Sequence, residues 1–156
     1  MRVPPAAIAL LALMVLAGCG GRGEESTPVA CLDGARAYAR ALEDAPESVE
    51  LAGGVPISDC LVESQEGGEL AGVGEAMVTT ATELNAESRA NPEGPAALRL
   101  GYLLGAAERG AEQTEGIHND LIRRLTVAAR FSPEGPLPPA FADAYREGFD
   151  AGRDSG

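Results

Sequence analysis

The sequence predicts an all-α fold. Three observations carry that reading. Apolar residues recur every three or four positions through most of the chain after residue 28, Pro- and Gly-bearing turns part these periodic stretches, and no segment alternates apolar and polar residues over a convincing strand length, Leu51 to Val62 alone being ambiguous. The expected architecture is an antiparallel bundle of about four helices with one short, disulfide-stapled helix, forming a single domain over residues 28–156.

The elements follow in order. Thr27 can cap a first helix with Pro28 at its first position; Leu32, Ala35, Ala39 and Leu42 repeat at helical spacing, and Asp44-Ala45-Pro46 ends the run. Residues 46–57 hold Gly53-Gly54 and Pro56 and read as a loop, after which Ser58 or Asp59 can cap a short helix carrying Cys60. Beyond Gly67-Gly68, the positions Leu70, Val73, Met77, Ala81 and Leu84 define an amphipathic helix that must stop before Pro92.

A single long helix is expected from about Pro95 to Phe131. Its seam runs Leu100, Leu104, Ala107, Ala111, Thr114, His118, Leu121, Leu125 and Ala128, with Gly101, Gly105, Gly110 and Gly116 off the seam. Each of those glycines costs up to about 1 kcal/mol relative to alanine inside a helix, so they either permit close backbone packing or, at Gly116, mark a kink. After residues 132–136 a last helix begins near Pro138. Phe141, Tyr145 and Phe149 follow at four-residue steps, with Ala144, Gly148 and Gly152 beside them. The aromatic stripe reads as core, and Gly148 and Gly152 are expected to meet the narrow stretch of Ala107, Ala111 and Thr114 backbone to backbone.

The N-terminus is an address rather than structure. Met1 and Arg2 precede an uncharged, apolar run that ends in Leu16-Ala17-Gly18-Cys19, too short for a spanning helix of about 20 residues. That ending resembles the lipobox of bacterial lipoproteins over residues 1–19. The resemblance implies a cleaved signal peptide, residues 1–18, and lipid attachment at Cys19, and hence a chain held by acyl groups on the extracytoplasmic face of the cell membrane. Residues 19–27 then form a tether, whose eight flexible residues after Cys19 span a root-mean-square distance of only about 15 Å.

With residues 1–18 removed, 24 acidic residues face 11 Arg and no Lys. Nucleic acid and anionic lipid are therefore poor bulk partners, leaving the membrane through the lipid and an unidentified envelope protein. Most of the acidity lies before residue 96 and reads as solvated helix faces. In an exported chain the remaining Cys31 and Cys60 are expected to pair, which also removes the obvious nucleophiles.

The chemistry in view is sparse. The chain has one histidine, no Trp, and no nucleophile-elbow, zincin, C-x-x-C or phosphate-loop pattern. No cofactor and no enzymatic activity are expected. Glu115-Gly116-Ile117-His118 forms half of the E-x-x-H pairing found in di-iron bundles, but the second histidine does not exist. His118 is expected to be a structural core residue. Thr114, Glu115 and His118 are the candidates if the bundle instead holds a small-ligand or metal pocket. The leading expectation is a lipid-anchored binding or scaffolding module at the cell envelope.

Overall fold

A computed structural model describes residues 26–131 and 136–156. The expected signal segment, Cys19, the expected tether up to residue 25 and residues 132–135 lie outside the described residues. What is described is an all-α domain: α1 (Ala35–Ala41), α2 (Gly67–Ala90), α3 (Ala96–Glu112), α4 (Asn119–Ala128) and α5 (Pro139–Ser155), with a small hairpin between the first two helices. None of these helices is long and apolar enough to cross a membrane.

The first helix is more broken than its periodicity suggests. A 3-10 turn over Val29–Leu32 is separated from α1 by Gly34, whose φ of 81° no helix accommodates, and a second 3-10 turn over Leu42–Asp44 follows α1. Thr27 does not cap this segment; its hydroxyl is used elsewhere. The ambiguous stretch resolves into β1 (Glu50–Leu51) paired antiparallel with β2 (Val55–Pro56), Glu50 opposite Pro56 and Leu51 opposite Val55. Gly53 and Gly54, both at positive φ, make the turn. The expected short helix is a single 3-10 turn over Ile57–Cys60, and its Cys60 is bonded to Cys31. Both cysteines are fully buried.

The α2 seam packs as its spacing requires, with Val73, Met77, Ala81 and Leu84 buried and Leu70 half-buried. The long helix expected from Pro95 to Phe131 is two helices. It breaks at Gln113–His118, where Glu115 has φ 45° and Gly116 φ 91°. A seam of three- and four-residue steps survives this break, because Leu100, Leu104, Ala107, Thr114, His118, Leu121 and Leu125 are all buried. The spacing records which side chains enter the core; it does not require that one continuous helix carry them.

The break adds a reversal of direction, and that reversal sets how α5 packs. Phe131, just past α4, lies 4.6 Å between ring centroids from Phe141 in the first turn of α5, so α4 has returned the chain to the end where α3 begins. Consequently α5 runs parallel to α3, not antiparallel. Gly101 sits against Tyr145 and Phe149, Gly105 against Phe149 and Arg153, Gly148 against Leu98 and Tyr102, and Gly152 against Tyr102 and Ala106. A Cβ at any of the four would be driven into a backbone carbonyl oxygen of the facing helix. Gly148 and Gly152 thus meet Leu98, Tyr102 and Ala106, one to two turns earlier than the expected Ala107–Thr114 stretch. Polar ties close this seam. Arg153 pairs with Glu108 (3.3 Å) and Glu112 (2.8 Å), and the buried Tyr102 hydroxyl accepts from the Val49 amide at 3.0 Å and lies 3.2 Å from Ser155 Oγ.

α4 lies along α2 in the same direction. Gly74 faces Leu121 and Arg124, and the Asn85 amide nitrogen donates to the carbonyl of Ala128 (2.7 Å), an orphan acceptor at the α4 C-terminus, and to that of Arg130 (3.1 Å) just past it. Asn85 Oδ1 is buried with no hydrogen-bond partner among the described residues.

Candidate functional site

Of the three sequence candidates, the fold brings Thr114 and His118 together and leaves Glu115 out. The turn that ends α3 places His118 immediately before α4 with none of its surface exposed. Its Nδ1 is 2.7 Å from Thr114 Oγ1 and its Nε2 is 2.8 Å from Gln65 Oε1. Glu115, in a left-handed conformation, is exposed. The one-turn carboxylate–imidazole geometry that E-x-x-H would give on a helix is therefore not formed.

Proton positions in this cluster follow from the acceptors. The Gln65 side-chain nitrogen faces the Cys60 carbonyl (3.0 Å), which can only accept, so the amide orientation is set and Oε1 must face the histidine. His118 Nε2 then carries a proton and donates. The same Gln65 nitrogen donates to Thr27 Oγ1 (2.8 Å), whose hydroxyl in turn donates to Glu69 Oε2 (2.7 Å). At the other side of the ring, Thr114 Oγ1 lies 2.8 Å from the Ala111 carbonyl and has one proton to divide between that carbonyl and Nδ1. Burial pushes the imidazole below its ordinary 6.5, so it is neutral at pH 7 and Nδ1 accepts from Thr114.

The cluster is a clasp. It joins the α3–α4 turn, the disulfide loop, the start of α2 and the first described residues of the chain through hydrogen bonds, those to the ring itself being to neutral partners. Both ring nitrogens have partners, and none of the ring's surface is exposed. Nor do three or more His, Cys, Asp or Glu side chains converge anywhere among the described residues. Thr27, Gln65 and Glu69 were not legible as members: Thr27 reads as a cap and Gln65 has no periodic position.

A second place has the shape of a binding surface. Between the end of α4 and the flank of α5 lies an open groove of about 380 Å³, lined by Ala129, Phe131, Leu137, Phe141, Tyr145 and Phe149, with Ala142 and Arg146 at the α5 side. The aromatic stripe expected in the core is only partly there. Phe141 is buried, whereas Tyr145 and Phe149 are half-buried. The cause is helical geometry: four-residue steps drift about 40° each around a helix of 3.6 residues per turn, and the face opposite α3 is already taken by Gly148 and Gly152. The rings are left on the shoulder. They stack in a row, with centroids 5.9 and 6.3 Å apart and interplanar angles of 20° and 19°. Burial, together with the nearby Glu108 carboxylate, pushes the Tyr145 hydroxyl up to about 12.

Comparison with protein families, with curated proteins and with solved structures finds no match to this chain.

Proposed function

We propose that this chain is a lipid-anchored extracytoplasmic binding module, non-enzymatic, tethered through acylated Cys19 and working through the aromatic groove beside α5. The observation that carries the reading is the separation of two ends. Thr27, the last residue of the expected tether, is held at Glu69, while Asn85 holds the carbonyls of Ala128 and Arg130 beside the groove. Sixteen residues of α2 part Glu69 from Asn85, about 24 Å at 1.5 Å per residue. A tether rooted at one end thus leaves the apolar groove free at the other. The non-enzymatic part rests on His118, whose two nitrogens are committed to neutral partners inside the core.

Two measurements test the reading. Mass analysis of the mature chain should find Cys19 acylated and N-terminal, and Cys19→Ser should remove the chain from detergent-extracted membranes; an unmodified Cys19 in the mature chain would end the anchoring claim. For the groove, Leu137→Asp places a charge in an exposed lining position without opening the core, and should abolish co-purification of an envelope component that the wild type retains. The rival, a ligand or metal pocket at His118, predicts saturable thermal stabilisation by zinc, iron(II) or manganese that His118→Leu loses.

A further inference from the structure

The groove combines a row of rings with one cation at its mouth, and that combination carries a ligand class. Phe141, Tyr145 and Phe149 present a strip about 12 Å long, taking the two centroid steps together. The rings already lie within contact range of one another, so no flat ligand can slot between them. What matches an open strip of this kind is a narrow, flexible apolar chain laid across the ring edges. A volume of about 380 Å³ is within the usual range for small-molecule sites, about 300–1,000 Å³.

Arg146 is the charged residue of that lining. On the α5 wheel it lies between the aromatic row and an outer row formed by Asp143, Glu147, Asp150 and Asp154. Its 3.3 Å pair with Asp143 is exposed on both sides, with side chains 69% and 76% accessible, and such pairs contribute less than about 1 kcal/mol. The guanidinium is therefore available to a better partner, and its planar fork suits a carboxylate or phosphate. The acidic chain as a whole repels anions, but that field is screened over about 8 Å at physiological salt, whereas a contact pair at the groove mouth is not.

We propose that the groove binds a single-chain anionic amphiphile, its aliphatic chain along Phe141, Tyr145 and Phe149 and its headgroup at Arg146. This rests on the groove being the working surface. The test uses the mature chain carrying Cys19→Ser, purified without detergent, and titrated calorimetrically below micelle-forming concentrations. Four twelve-carbon probes differ only in the head: laurate, dodecyl phosphate, dodecanol and dodecyltrimethylammonium. Saturable one-to-one binding of the anionic probes is expected, and the carboxylate and phosphate arms distinguish a fatty acid from a lysophospholipid-type head. Arg146→Gln should weaken anionic binding by about tenfold while leaving dodecanol unchanged, and Leu137→Asp should abolish binding of the anionic probes and of dodecanol. Equal affinity for the cationic probe, or no effect of Arg146→Gln, overturns the headgroup assignment. Should no probe bind while Leu137→Asp still abolishes capture of an envelope component, the amphiphile is rejected and the groove stands. If capture also survives Leu137→Asp, the groove falls with it.

Discussion

The α3–α5 seam and the His118 clasp both hold one segment of chain against another, and they do so by different physics. Along the seam, four glycines bring the backbones of two parallel helices into direct contact, and attraction comes from many close contacts. At the clasp, five side chains and two backbone carbonyls exchange specific hydrogen bonds in a partly buried cluster around the fully buried His118, beside a disulfide. The backbone contacts of the seam have nothing to titrate or reduce, but they leave no room for a single methyl group at the four glycines. The clasp has room but depends on protonation and on the redox state next to it. Interfaces built on shape and interfaces built on partners therefore fail under different perturbations, which separates them experimentally.

The largest effect is expected at the seam. Gly148→Ala should cost about 4 kcal/mol or more, because the new Cβ meets the Leu98 carbonyl and only a shift of α5 relieves it. Urea titration of this variant is to be compared with Gly72→Ala on α2, where a Cβ would make only ordinary contact with Leu32 at 3.5 Å. The latter should be neutral or gain up to about 1 kcal/mol. Equal costs at the two positions would mean that α3 and α5 are not in backbone contact.

Reduction of Cys31–Cys60 comes next. The bridge spans 29 residues, and opening a loop of that size removes about 3.5 kcal/mol in the chain-entropy model. The melting temperature should fall while the helical circular dichroism at low temperature is retained, since α3, α4 and α5 lie outside the bridged loop. Two thiols titrating in the denatured, unreduced protein would show that the bridge is not made.

His118→Leu should cost about 1–3 kcal/mol, more than expected of a lone histidine on an apolar stripe, because Gln65 Oε1 loses its donor. Thr114 can turn its proton to the Ala111 carbonyl and suffers less. Chemical denaturation measures the loss, and a variant as stable as the wild type would remove the clasp from the stabilising contacts.

The smallest effect is on pH. The folded imidazole titrates below 6.5, so as pH falls through 6.5 the unfolded chain takes up a proton that the folded chain does not, and stability declines until the folded value is passed. Above 6.5 this contribution is constant. The wild-type urea midpoint should drop more between pH 7.5 and 5.0 than that of His118→Leu; parallel profiles would place the titration elsewhere.

Helix content, the α2 seam, the Cys31–Cys60 pairing and the burial of His118 could all be read from spacing, because each depends on which residues share a face or remain unpaired after Cys19 is set aside. The small residues of α3 and α5 were also visible as a sign of close packing. Their true partners were not. Which glycine faces which carbonyl depends on the direction of α5, and that direction turns on a break at Glu115 and Gly116, where a positive φ is a local backbone choice that periodicity cannot record.

The same gap explains the two candidate sites. Thr114 and His118 could be placed on one stripe, but Gln65 reaches the ring, and Thr27 reaches Gln65, from distant parts of the chain; they owe their place to the disulfide loop and the start of α2. The aromatic stripe was legible as apolar; only packing decided that it would stand half outside. Local sequence determines what each segment is able to bury. Tertiary structure decides what it does bury, since each helix has one face against its neighbour, and on α5 the glycines took that face and left the rings to line a groove.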